Sequence, residues 1–354
     1  MNRKVIQLLP TIAYGDAVSN DALSMSDVLE EMGFENEIYA INIDSRVAGR
    51  AVQINKLKTN NNDILIFHMS TGSQLSQRVN GLPNKTKVMV YHNITPAKYF
   101  LKYSSVAYDL CFTGRDQLTT LNNTFAMSLA DSEYNRVELE ELDYKNTYEL
   151  PIILKFDDYK TEPDKKSIER YNDGYVNILF VGRIAPNKKQ EDIIKSFFMY
   201  KKYINPKSRL FLIGSHSGME KYVQALNQLV IDLDLSDVYM PGHTSFKETI
   251  AYYKLASVFL CMSEHEGFCV PLIESMFFNV PIIAFEAAAI PGTLGNSGVM
   301  IKKKNYEFVA ELIDMVVTDK ELREKIIASQ TERLKAFDEK KVKEHFRNYF
   351  KKII

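Results

Sequence analysis

Cysteine is scarce in this chain of 354 residues: Cys111, Cys261 and Cys269 are all it has, far apart or on apolar segments. Such usage excludes a disulfide framework and fits a reducing compartment. Long apolar runs are missing too. None approaches the ~20 residues that a membrane-spanning helix requires. The short run at residues 5–10 reads as a buried first strand rather than a signal-peptide core. Charge of one sign is also lacking: the formal net charge is −1, which gives no global attraction for nucleic acid. A cytoplasmic protein is therefore expected. Its basic end at residues 340–354, interleaved with aromatics, reads as a solvated amphipathic closing helix, with peripheral contact at the inner face of a membrane as the alternative. Metal-ligand spacing is absent as well. No two of the six histidines stand at i, i+3 or i, i+4, and no Asp-x-Asp follows a strand, so the expectation is no metal and no cofactor.

What is present is length. A chain of this size exceeds what one core organises, so two domains are expected. In the first half, apolar runs at residues 5–10, 37–41, 63–68, 87–94 and 109–113 alternate with helical patterns such as 21–32. These runs are short, β-branched or aromatic, and polar at their ends, the pattern of buried parallel strands in βαβ units. Residues 156–174 are charged, contain proline and show no apolar period; they read as a linker. The second half alternates again, with strands at 176–182, 210–214, 238–241, 257–262 and 280–285. A helix is expected at 191–204 and another at 219–233, where apolar residues follow the i, i+3, i+4, i+7 rule. The fold class is α/β, with two Rossmann-like doubly wound domains at 1–155 and 175–334 and a last helix at about 335–354.

In open α/β sheets ligands bind beyond the carboxyl ends of the strands. In the first half that position holds Gly15-Asp16, His68 and His92. In the second half it holds Gly182-Arg183, Gly214 and Gly242. Only 15 glycines occur, so each one at a strand end is informative. Arg183 and Lys188 leave their strand as a pair of cations suited to phosphate. The most informative stretch is Glu266-Gly267-Phe268-Cys269-Val270-Pro271-Leu272-Ile273-Glu274. Pro271 is suited to opening a helix, which places Glu274 in its first turn and Glu266 in the loop before it. Two carboxylates and a row of backbone amides can then hold a polyhydroxylated ligand with a phosphate tail.

The segment from Ser263-Glu264-His265-Glu266-Gly267-Phe268 through Glu274-Ser275-Met276 resembles the donor-site signature of retaining GT-B glycosyltransferases of family 4. The resemblance implies two facing Rossmann-like domains with an interdomain cleft, and a last helix that packs back across the first domain. It implies a nucleoside-diphosphate sugar as donor and a hydroxyl of a glycan or lipid-linked saccharide as acceptor. The C-terminal domain would take the donor and the N-terminal domain the acceptor. Glu274 would accept from the ribose hydroxyls and Glu266 from the hexose. Gly267, Phe268, Cys269 and Val270 would present amides, and Gly182, Arg183 and Lys188 would hold the diphosphate. Gly15, Gly214 and Gly242 would let the nucleotide approach. His92 would face the donor sugar, while Asp16 and His68 are acceptor-side candidates. The catalytic set is Glu266, Arg183, Lys188 and His92. The family usually has glycine where this chain has Cys269. Retention without an enzymic nucleophile implies front-face attack, with the leaving phosphate oxygen taking the acceptor proton. Two alternatives remain: an epimerase or phosphorylase of GT-B shape, and a catalytically silent partner of another transferase.

Overall fold

A computed structural model describes residues 3–354 of the chain. These residues form two compact units. Unit 1 comprises residues up to Lys98, Val106–Phe156 and Phe337–Ile354; unit 2 comprises Tyr99–Ser105 and Asp157–Ala336.

Unit 1 is built on strands β1 (Val5–Ile12), β2 (Asn36–Ile43), β3 (Val52–Gln53), β4 (Ile64–Met69), β5 (Thr86–Tyr91), β6 (Met127–Ala130) and β7 (Thr147–Glu149). All pair in parallel, in the order β3-β2-β1-β4-β5-β6-β7. Its helices are α1 (Ala17–Glu31), α2 (Gln74–Gly81), α3 (Ser105–Thr120) and α4 (Glu133–Glu141). Every residue of β4 is buried, as a strand covered on both faces requires.

Unit 2 repeats the plan with β8 (Val176–Val181), β9 (Ser208–Ile213), β10 (Val238–Gly242), β11 (Val258–Cys261), β12 (Ile282–Phe285) and β13 (Val299–Ile301). Their order is β10-β9-β8-β11-β12-β13, again parallel throughout. Its helices are α5 (Lys165–Tyr171), α6 (Gln190–Tyr203), α7 (Glu220–Asp232), α8 (Phe246–Leu255), α9 (Val270–Phe277), α10 (Ile290–Leu294), α11 (Tyr306–Thr318) and α12 (Lys320–Leu334). The last helix, α13 (Glu339–Phe350), returns to unit 1. It buries Val342, Phe346 and Phe350 beside Met25, Val28 and Leu29 of α1. No helix among the described residues is long and apolar enough to cross a membrane.

Two expectations need correction. Residues 109–113 are not a strand but the middle of α3, a helix that leaves Val106 and Phe112 68% and 60% exposed and so imitates a buried apolar run. Residues 156–174 are not a free linker: all but Phe156 belong to unit 2. Tyr159 packs on Phe246, Phe277 and Phe278, and Tyr171 on Phe211, Tyr239 and Tyr252. Isolated aromatic anchors hold this charged stretch, and they leave no periodic signature.

Backbone meets backbone where α3 crosses the loop after β4. A Cβ on Gly114 would lie 2.4 Å from the Gly72 nitrogen. Alanine for glycine inside a helix ordinarily gains about 1 kcal/mol. Here Gly114→Ala should reverse that sign and cost about 1–3 kcal/mol, the usual range for overpacking. Urea unfolding of the variant measures it, and a gain in stability would refute the close approach.

Candidate active site

Each sheet changes winding direction at its centre, between β1 and β4 in unit 1 and between β8 and β11 in unit 2. Ligands in doubly wound folds bind at such switch points. In unit 2 the loop leaving β8 carries Gly182, Arg183 and the turn Pro186–Lys188, and the loop leaving β11 carries Glu266 into α9. The loops are stitched together by Asn187. Its side-chain nitrogen donates to the His265 carbonyl at 3.0 Å, and its own carbonyl accepts from the Glu264 amide at 2.9 Å.

On that base the Lys188 ammonium is ion-paired with Glu266 Oε2, their side chains 20% and 7% exposed. Burial works against the Lys188 charge, but Glu266 together with Cys269 and Cys261 outweighs it, so the lysine pKa stands above its ordinary value. A second cation, Lys304, bridges Asp192 at 2.8 Å and Glu264 at 2.9 Å, bracing the same loop from α6. Arg183 is exposed, and its Nη2 donates to the Ser217 carbonyl at 3.2 Å.

Three strand ends are clasped beneath these side chains. The Gly182 amide donates to the Ile213 carbonyl at 2.9 Å, and the Gly214 amide to the Gly242 carbonyl at 3.1 Å. A Cβ on Gly242 would press the His216 ring at 3.2 Å.

Glu274 differs from its expected position. Val270 opens α9 and Pro271 follows it, so Glu274 lies in the second turn. Its two oxygens accept from the Tyr159 hydroxyl at 2.9 Å and the Tyr253 hydroxyl at 2.6 Å. Burial raises the carboxyl pKa, and the two hydroxyls only partly offset this. A carboxylate has about four acceptor positions, so two remain for a ligand. Cys269 holds the position before the helix with φ +70°, in the left-handed region that favours glycine.

In unit 1 the candidates gather differently. Asp16, an acceptor-side candidate, caps α1: its carboxylate accepts from the Ser19 amide at 2.9 Å and the Ser19 hydroxyl at 2.7 Å. It remains exposed at the surface, one residue after Gly15, whose φ is +74°. His68, also expected on the acceptor side, is fully buried with both ring nitrogens engaged, at 2.9 Å from Gln7 Oε1 and 3.0 Å from His92 Nε2. That enclosure gives it a place behind His92 rather than against a ligand. The His92 side chain is 1% exposed, with Asp131 Oδ2 3.7 Å from its Nδ1. Burial opposes its charge, yet Asp131, Asp21 and Asp16 together carry its pKa above the usual histidine value. Gln7, Asp21, Asp131, Asn187, Tyr159 and Tyr253 gave no signal in the sequence, because each reaches the candidate residues only through a partner distant in the chain.

Asp21 carries a pH signature. Burial outweighs the nearby His92 and the 2.8 Å bond from the Ile153 amide, and its pKa rises from 3.8 to about 6. A carboxyl with a raised folded pKa keeps a proton that the unfolded chain has lost. Its stabilising contribution is therefore present below pH ~4 and lost as pH rises to about 6, a change of up to about 3 kcal/mol. Asp21→Asn keeps the acceptor for Ile153 and removes the charge. The difference in unfolding free energy between variant and wild type should grow in favour of the variant across that window. Parallel pH profiles from urea titration would contradict the assignment.

The centre of unit 2 thus joins a switch-point ion pair, a strand-end glycine clasp and a helix-borne carboxylate in one stretch of sequence. Residues 161–333 match the family model of the glycosyl transferases group 1. The matched segment contains Arg183, Lys188, Glu266 and Glu274. Among curated proteins, an uncharacterized glycosyltransferase of Haemophilus influenzae is 24% identical over 61% of this chain and 60% of its own length. The capsular polysaccharide biosynthesis glycosyltransferase CapM of Staphylococcus aureus is 29% identical over 49% of this chain and 45% of its own. The chain spans about half the length of the curated relatives it matches. The solved structure of Anabaena HepE in complex with UDP and glucose superposes with a TM-score of 0.78 at 14% identity, covering 99% of this chain and 100% of that one. The fold is GT-B, two Rossmann-like doubly wound units.

Proposed function

We propose that the chain is a retaining glycosyltransferase that moves a hexose or deoxyhexose from a nucleoside-diphosphate sugar to a hydroxyl of a glycan or lipid-linked saccharide. The observation that carries this reading is the Lys188–Glu266 pair at the switch point of unit 2, inside the group 1 segment. Lys188 and Arg183 neutralise the diphosphate as the glycosidic bond breaks, a preorganised charge that acts without a metal. Glu266 orients the sugar through its hydroxyls, and Glu274 accepts from the ribose with the positions its tyrosines leave open. The acceptor oxygen bonds to the anomeric carbon on the face the phosphate leaves, and its proton passes to the departing phosphate oxygen. The UDP and glucose bound by HepE make UDP-hexoses the first donors to try.

Thermal unfolding with UDP-, GDP-, dTDP- and ADP-sugars tests the reading. A donor at 100 times its dissociation constant should add about 2.7 kcal/mol of apparent stability. Arg183→Ala should remove most of that gain, and the transferred sugar should keep its anomeric configuration by NMR. Indifference to every activated sugar, or wild-type donor binding in Arg183→Ala, would sink the proposal.

A further inference from the structure

The loop between β11 and α9 brings two thiols to the carboxylate that Lys188 holds. Cys261 ends the strand, Cys269 precedes the helix, and a carboxylate oxygen of Glu266 lies between them in sequence. The two sulfurs and that oxygen all fall within 4.8 Å of one another. From this geometry we propose that Cys261, Cys269 and Glu266 form a site for a thiophilic divalent cation of the zinc class, with Lys188 as its charge-balancing neighbour.

Tetrahedral zinc with Zn–S of about 2.3 Å places its ligands roughly 3.8 Å apart, so the cluster needs only a small contraction. Two sulfurs and one oxygen select such an ion over Mg²⁺, which demands oxygen alone. The charges also close. Lys188 and Glu266 cancel each other and add no net charge to the site. With metal, one divalent ion replaces two thiol protons, which leave to solvent, and the net charge of the site stays at zero. No uncompensated charge is buried in either state, which is the condition for a charged cluster in an interior. The Lys188 side chain beside the site is 20% exposed, whereas Cys261 is fully buried. Position 269 points the same way. A non-glycine residue at φ +70° costs about 1–2 kcal/mol, and the residue held there at that cost carries a thiol. Three protein ligands leave a fourth coordination position open. A bound cation would also compete with a sugar hydroxyl for Glu266, a consequence that rests on the donor reading above; the site itself does not.

Cadmium serves as the probe, because thiolate-to-cadmium charge transfer absorbs in the ultraviolet. The full chain, reduced and stripped with chelator, should take up one Cd²⁺ with a two-thiolate band, release about two protons per ion, and lose the band to added Zn²⁺ but not to Mg²⁺. Cys261→Ala should abolish the band and Cys111→Ala should leave it intact. If Cys261→Ala fails to fold, Cys269→Gly decides, since its backbone prefers glycine. A band that survives loss of either Cys261 or Cys269, a band that needs Cys111, or no band at all overturns the site. The readout is absorption, so it stands whether or not the chain binds any nucleotide sugar.

Discussion

Replacing Lys188 with methionine should destabilise the protein by about 3 kcal/mol and, on the function proposed above, abolish sugar transfer. The size follows from what is left behind. Glu266 is 7% exposed, and without the ammonium its carboxylate is a buried charge with no counter-ion. Removing one partner of a buried pair costs about 3–5 kcal/mol; the 20% exposure of Lys188 places this pair at the low end. Replacing the whole pair by apolar side chains is often neutral. The double variant Lys188→Met/Glu266→Leu should therefore recover most of the lost stability while transfer stays lost. Urea midpoints and a transfer assay on wild type, both single variants and the double variant separate the two roles. A single Lys188→Met variant within 1 kcal/mol of wild type would show that the pair is not buried in solution. A double variant that transferred sugar would remove these residues from the mechanism.

Gly214→Ala should be the most damaging small substitution in unit 2. A Cβ there would stand 2.0 Å from the Gly182 carbonyl oxygen and 2.6 Å from its carbon, with φ at +148°. Both opposing atoms are backbone, so no side chain can rotate away. The strand ends of β8, β9 and β10 must part, and the hydrogen bonds from the Gly182 and Gly214 amides to the Ile213 and Gly242 carbonyls with them. A loss above about 4 kcal/mol is expected, a large share of the 5–15 kcal/mol that holds a domain together. Gly218→Ala is the control. It also has positive φ, +74°, but nothing within 4 Å of the added carbon, and should cost only about 1–2 kcal/mol. Thermal unfolding compares the two, and equal losses would mean that φ alone, not the backbone approach, sets the cost.

The alternation of both halves was legible in sequence because a strand covered on two faces must be apolar along its whole length, as in β4 and β9. The positions of Gly182, Gly214 and Gly242 after strands were legible for the same reason. Other elements were not: β7 is three residues long and carries too few side chains for a period, and α3 exposes the apolar residues that imitate a strand. In the candidate site, Glu266 and Lys188 could be singled out from local pattern, but not their contact, which joins residues 78 apart. The same limit hid the hydroxyls on Glu274, donated from residues 21 and 115 positions away. The helix boundary at Val270 was missed because proline is tolerated anywhere in a first helical turn.

A single carbonyl on α1 governs where hydrogen sits on a distant imidazole. Gln7 Nε2 donates to the Ala22 carbonyl, so Gln7 Oε1 can only accept. His68 must therefore present Nε2–H to it and a bare Nδ1 to His92, which in turn must carry hydrogen on Nε2. The remaining edge of His92, Nδ1, faces Asp131. Any proton gained there makes the ring a cation, because the opposite nitrogen is already occupied. Neutral His92 exists in this packing as one tautomer only, and nitrogen chemical shifts would read that tautomer directly.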